Sequence, residues 1–279
     1  MWFALDVTLR GRAREAVEYA LMEAGALGTE ANDGHDVLRV TGYFEHGPER
    51  ERVRAALDEA LRIYALPSST VRDVQVREVA ARDWLAEWKQ SWQPVQVGTR
   101  FLVAPPWSEI ENNAGRIVIR IEPGMAFGTG THETTRLCLA ALERHFHGDS
   151  FLDVGTGTGI LAIATAKLAP HARIAACDTD GEAVEIARAN ARLNGVAERI
   201  EFSIGSIDET TSSADCVCAN LTADVIVPLL PALIGATCGR LILSGILDTQ
   251  AERVRAALRA RGVNECETTT DGEWVALVV

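Results

Sequence analysis

The sequence predicts an α/β chain in two parts: a doubly wound seven-stranded sheet, preceded by a small α+β domain of ferredoxin-like plan. Three observations carry that prediction. Phe151-Leu-Asp-Val-Gly-Thr-Gly-Thr-Gly-Ile-Leu-Ala-Ile-Ala166 reads as strand, glycine turn and helix without a break. Strand and helix patterns alternate from there onward and close on two strands. Residues 3–79 run strand, helix, strand, strand, helix, strand.

In the first stretch Phe151, Leu152 and Val154 supply the strand, with Asp153 near its end. Gly155, Gly157 and Gly159 allow a tight turn and let a ligand approach main-chain N–H groups at a helix N-terminus. Ile160, Leu161, Ile163 and Ala164 then form an apolar helical stripe that Pro170 ends. The next strand, 173–178, closes on Asp178, and a helix over 180–194 starts at Asp180 and stops at Gly195. Strands at 199–204 and 214–219 follow, then a turn at Asn220-Leu-Thr. Strands at 240–244, 263–269 and 274–279 complete seven, the last expected to be antiparallel. In such sheets ligands sit beyond the carboxyl ends of the strands, which is where Gly155, Asp178 and Asn220 fall.

The N-terminal part reads in the same way. Residues 3–9 alternate as a strand; Ala13 to Ala24 places Val17, Ala20 and Leu21 on one helical face, with Gly25 after it. Asn32-Asp-Gly34 supplies hairpin chemistry between strands at 27–30 and 37–44. A helix over 48–64 and a strand over 70–79 finish the unit. Trp84, Trp88 and Trp92 then fall at i, i+4, i+8, one stripe of an inter-domain helix. The expected domains are 1–76, a linker helix over 77–95, and 96–279. Strands at 97–103 and 116–121 precede a Gly/Thr-rich loop, 122–135, whose helix over 133–145 takes Thr131 as N-cap.

Composition narrows the function. The net charge is −12, and residues 1–75 alone carry −4, so free nucleic acid is not the expected partner. No basic segment followed by an apolar core opens the chain, and the uncharged stretch Val225–Gly239 is short and holds Pro228 and Pro231. The expectation is a cytoplasmic protein with no membrane partner. Cys138, Cys177, Cys216, Cys218, Cys238 and Cys266 show no C-x-x-C spacing and read as buried, reduced thiols, with no metal site.

Spacing then selects the nucleotide. A dinucleotide fingerprint would need a third glycine where Ile160 stands. The pattern D-x-G-x-G-x-G instead resembles motif I of the class I S-adenosylmethionine methyltransferases. Asp178, closing the second strand, suits a ribose, whose two hydroxyls a carboxylate can accept. Ala126-Phe-Gly-Thr-Gly-Thr-His-Glu-Thr-Thr135 is similar to the signature of the PrmA family, methyltransferases of ribosomal protein L11. Trp84, Trp88, Pro106-Trp107, Ser244-Gly-Ile-Leu247 and Gly272-Glu-Trp274 match that family too. The resemblance implies the class I methyltransferase fold, S-adenosyl-L-methionine as cofactor and L11 as protein substrate, held by the N-terminal domain. It implies cofactor contacts from Phe127, Thr135, Gly155, Gly157, Asp178 and Asn220.

Asn220 stands where related amino-methyltransferases carry an Asn-Pro-Pro-type motif, so its side-chain oxygen is the expected catalytic group, orienting an amine lone pair. The plainer alternative is that Asn220 only caps a turn. His132, at a helix start, is read as structural rather than as a general base. The competing functions are methylation of another protein lysine, of RNA or of a small molecule, an NAD-dependent dehydrogenase, and a non-catalytic cofactor-binding module.

Overall fold

The computed structural model describes residues 2–9, 13–33, 38–79, 92–110, 113–122 and 130–279. The chain divides into two compact units, Met1–Ser91 and Trp92–Val279. The helix expected over the tryptophan stripe, with Trp84 and Trp88, lies outside the described residues.

The N-terminal unit runs β1 (Trp2–Leu9), α1 (Arg14–Glu23), β2 (Gly28–Asp33), β3 (Leu38–Phe44), α2 (Arg50–Ile63) and β4 (Val71–Val79). Its strands form an antiparallel sheet in the order β2-β3-β1-β4. Strand alternation sends Leu5, Val7, Leu9 and Val40 into a core with Val17 and Leu21 of α1 and Val53 and Leu57 of α2. Gly25, at φ +99°, ends α1 as expected: its N–H and that of Ala26 bond back to Met22 and Leu21. The opposite face of the sheet is polar. There Thr41 (2.6 Å) and Arg77 (2.9 Å) donate to Asp6, and Tyr43 donates to Glu30 at 2.7 Å.

The C-terminal unit opens with a three-stranded sheet, β5 (Val95–Val97), β6 (Phe101–Ala104) and β7 (Ile117–Arg120), in that order. The single strand expected over 97–103 is therefore a hairpin. Gly98 turns it at φ +56°, and the Glu143 carboxylate accepts the N–H groups of Thr99 and Arg100, which fixes the turn. Next come α3 (Glu133–His145), β8 (Ser150–Val154), α4 (Ile160–Leu168), β9 (Arg173–Asp178), α5 (Gly181–Leu193) and β10 (Ile200–Ile204). The chain ends with β11 (Ala214–Asn220), α6 (Ala223–Gly235), β12 (Thr237–Leu247), α7 (Ala251–Arg259), β13 (Glu267–Asp271) and β14 (Trp274–Val278). The seven-stranded sheet has the order β10-β9-β8-β11-β12-β14-β13, and β14 is antiparallel to both neighbours. This is the expected doubly wound α/β sheet with its antiparallel last strand.

Alternate residues of the central strands feed two cores. Phe151, Cys216, Cys218 and Ile242 pack with Leu139, Leu142, Ile160 and Ile163 of α3 and α4, on the side that also holds Phe101 and Ile119 of the small sheet. Leu152, Val154, Val217, Ala219 and Leu243 pack with Ile226, Leu230 and Leu233 of α6 and Val254 and Leu258 of α7.

Two elements go beyond the sequence reading or differ from it. The alternating pattern implies a helix after the Asn220 turn without fixing its bounds; α6 covers Ala223–Gly235 and runs through Pro228 and Pro231. Each proline removes one intrahelical bond, a cost of about 3 kcal/mol in an isolated helix. The buried stripe Ala223, Ile226, Leu230, Leu233 keeps the helix in place against the sheet. The strand expected over 263–269 begins at Glu267 instead. Val263 belongs to the end of α7, where Gly262 (φ +84°) reverses the chain and the Val263 N–H returns to the Leu258 carbonyl.

Candidate functional site

The site lies at the carboxyl edge of the central strands. Val154 pairs in register with Cys177 and with Ala219, so β8, β9 and β11 release their chains at one level, beside Ser244 of β12, which runs on to Leu247. Beyond β8 the chain turns through Gly155 (φ +75°), Gly157 (φ +53°) and Gly159 (φ +81°). Two of these glycines also answer to packing. A Cβ on Gly155 would collide with the Leu221 side chain, and one on Gly159 would stand 2.9 Å from the Ala187 Cβ. The Gly155 and Thr156 N–H groups bond the Cys177 carbonyl, which fastens the turn to the end of β9.

Asp178 reaches into that turn. Its Oδ2 accepts the Gly157 N–H at 2.9 Å and its Oδ1 accepts the Asp180 N–H at 3.1 Å. A carboxylate offers about four lone-pair directions. Each oxygen therefore keeps one for a ligand hydroxyl.

Asp153 lies beneath the turn, fully buried. Its Oδ2 accepts from the Thr156 hydroxyl (2.7 Å) and the Ala162 N–H (3.2 Å). Burial pushes this carboxyl up to about 7, against the pull of Thr156 and Ala162.

Across the edge, Asn220 ends β11, and the N-cap position of α6 belongs to Thr222. The Asn220 amide instead spans to α3, its Nδ2 donating to the Thr134 hydroxyl at 3.2 Å. Thr134 is fully buried; its carbonyl accepts from the Ser244 hydroxyl at 3.3 Å. The N-cap of α3 is His132 rather than the expected Thr131. The imidazole Nδ1 accepts the Thr134 N–H at 3.2 Å and lies 2.8 Å from the Thr134 hydroxyl. A ring nitrogen can do what a threonine oxygen does at this position, and the edge-on contact with Trp274 at 5.3 Å holds the ring there. His132 thus serves as the cap of this helix.

The turn after Asn220 is held by a second close approach. The Leu221 N–H bonds the Ser244 carbonyl at 3.0 Å, and Gly245 (φ +81°) leaves no room for a Cβ against the Leu221 backbone. Gly130, at φ +87°, passes equally close to Val103 and Ile160, so the end of the Gly/Thr loop is drawn to the start of α4. Phe127 lies outside the described residues.

Three side-chain oxygens along this arc are buried without a hydrogen-bond partner: Thr135 Oγ1, Asp153 Oδ1 and Asn220 Oδ1. Buried polar atoms are nearly always bonded, so three in one neighbourhood point to a ligand that brings donors. Sequence reading found Thr135 and Asn220 but missed Thr134 and Ser244, and gave Asp153 no role. Ser244-Gly245 stood in the sequence as a small-residue pair inside a strand, the one signal that a close approach occurs there.

The thiols differ partly from expectation. Cys138, Cys177, Cys216 and Cys218 are buried, but Cys238 is exposed and Cys266 half-exposed; none forms a disulfide. Burial pushes Cys177 up to about 11 and Cys216 up to about 12, so both stay protonated and inert. No helix among the described residues is long and apolar enough to cross a membrane.

Comparison with known proteins identifies the family. A family model described as "Ribosomal protein L11 methyltransferase (PrmA)" matches residues 1–279. A ribosomal protein L11 methyltransferase of Myxococcus xanthus is 38% identical over 291 residues, covering 99% of this chain and 97% of its own. One from Pelotomaculum thermopropionicum is 40% identical over 244 residues, covering 86% of this chain and 78% of its own. Among solved structures, a ribosomal protein L11 methylase of Lactobacillus delbrueckii subsp. bulgaricus is 30% identical, with a TM-score of 0.60, covering 67% of this chain and 97% of its own. On these grounds the chain belongs to the ribosomal protein L11 methyltransferase family.

Proposed function

We propose that the protein transfers methyl groups from S-adenosyl-L-methionine to amino groups of ribosomal protein L11, on lysine side chains, the N-terminal amine or both. One observation carries the reading of the chemistry: Asn220 Oδ1, a buried acceptor with no partner, stands at the sheet edge beside the glycine turn. S-adenosyl-L-methionine supplies a methyl carbon already activated by its sulfonium, so the protein's work is alignment. Asp178 would accept the ribose hydroxyls, Gly155 and Gly157 would let the cofactor approach the backbone, and Thr135 Oγ1 and Asp153 Oδ1 are free to accept its donors.

A lysine is mostly protonated at pH 7 and must first lose a proton. Asn220 Oδ1 then accepts an N–H of the neutral amine and turns the nitrogen lone pair toward the methyl carbon. An amide is not a base, so the proton leaves to solvent. The module 1–76 docks the protein substrate, 77–95 links, and 96–279 carries the chemistry. The proposed substrate makes the cytoplasm the place of work.

Incubating the full chain with methyl-labelled cofactor and total ribosomal protein, followed by mass analysis, tests this. Label on amino groups of L11 is expected; label confined to another protein or to RNA overturns the substrate assignment. Asn220→Ala should lower kcat roughly 10²-fold at saturating cofactor, the usual scale for a misplaced reactant.

A further inference from the structure

A side-chain amide can present either end to a ligand, and only one end suits an amine. We propose that Thr134 and His132 are positioning residues that lock the Asn220 amide with Oδ1 toward the reacting amine, an inference resting on the role given to Asn220 above. The lock follows from the direction in which each proton is donated.

A backbone N–H can only donate, and that of Thr134 donates to His132 Nδ1 at 3.2 Å. Nδ1 therefore carries no proton. The Thr134 hydroxyl, 2.8 Å from the same nitrogen, must then donate to it as well. With its one proton so committed, the hydroxyl oxygen faces Asn220 as an acceptor only, and it receives Nδ2–H at 3.2 Å. Turning the amide over would set Oδ1 against that oxygen, acceptor against acceptor, and leave Nδ2 where the amine must bind.

Every member of the chain is itself held. The imidazole packs edge-on to Trp274, the Thr134 carbonyl is bonded by Ser244, and Thr134 is fully buried. His132 is thus excluded as a base at Nδ1 while being required for the orientation of Asn220.

The test uses the full chain. Thr134→Val keeps the shape and removes the hydroxyl; Thr134→Ser keeps the hydroxyl and controls for folding. In Thr134→Val, kcat should fall roughly 10-fold to 100-fold with KM for the protein substrate little changed, and Thr134→Ser should recover most of the rate. His132→Phe frees the hydroxyl proton to point at Asn220, and kcat should fall there too.

The loss in Thr134→Val should vanish in an Asn220→Ala background, because both changes strike one device. In protein labelled with ¹⁵N-asparagine and carrying no cofactor, the Asn220 side-chain NH₂ protons should exchange slowly with water, and faster in Thr134→Val than in Thr134→Ser. A slow Asn220→Ala with a wild-type Thr134→Val, or a Thr134→Val loss that persists in full in the Asn220→Ala background, overturns the lock. A wild-type rate in Asn220→Ala sinks the role of Asn220 itself, a distinct failure.

Discussion

The polar face of the N-terminal sheet and the carboxyl edge of the large sheet solve the same problem in opposite ways. On the first, Asp6 is answered by Thr41 and Arg77, and Tyr43 by Glu30. Burial raises the Asp6 carboxyl, but Arg77 and Thr41 outweigh it and hold it below its usual range. On the second, Thr135, Asp153 and Asn220 each keep a buried oxygen with no partner, and among the described residues nothing positive stands beside Asp153. The glycines divide likewise. Gly25 ends a helix in open space, whereas Gly155 and Gly245 are hemmed in by Leu221. One surface pairs its polar side chains within the chain; the other leaves three buried oxygens unbonded.

The largest expected break in that contrast is electrostatic. Asp153 titrates near 7 in the folded chain against an ordinary 3.8, so the folded state binds its proton more tightly than the unfolded state. Its contribution is present below the unfolded value and is lost as pH rises toward 7. The gap from 3.8 to about 7 amounts to about 4 kcal/mol. Urea unfolding of wild type and Asp153→Asn at pH 5 and pH 8 should show wild type losing ground relative to the variant at the higher pH. A constant difference between the two would place the proton elsewhere.

Next in size is Gly245→Ala, which meets left-handed strain and the Leu221 backbone together. It should cost about 3 kcal/mol or more, whereas Gly25→Ala, strained but unobstructed, should cost about 1–2 kcal/mol. Equal shifts in denaturation midpoint would remove the distinction between the two kinds of glycine. Asp178→Ala should weaken S-adenosylhomocysteine binding by roughly 1–3 kcal/mol in calorimetry, and an unchanged affinity would take the ribose away from Asp178. The smallest effect belongs to Arg77→Ala. Half of that side chain faces water and Thr41 still serves Asp6, so a loss of about 1 kcal/mol or less in unfolding free energy is expected.

What could be read in the sequence follows the range of the interactions involved. Gly155, Gly157 and Asp178 were legible because a strand, a turn and a helix fix their spacing along the chain. The hidden features depend on partners distant in sequence. Nothing local to Gly98 says that Glu143 will fasten a hairpin there. Nothing in Ala219-Asn220-Leu221 says that Thr134 will hold the amide, 86 positions away in the chain. Where a local rule ruled too strongly, it misled: the preference for threonine caps favoured Thr131 over His132. Phe127, read as a cofactor contact, lies outside the described residues.

Helix α3 is tied down at both ends. Near its C-terminus Glu143 grips Thr99 and Arg100; near its N-terminus Arg136 holds Asp271, the last residue of β13, and Thr134 holds Asn220. Its thirteen residues make a rod about 20 Å long. The hairpin that Glu143 grips lies just after Trp92, where the chain enters the C-terminal unit. Glu143 therefore ties the first hairpin of the C-terminal unit to the helix whose other end bonds Asn220.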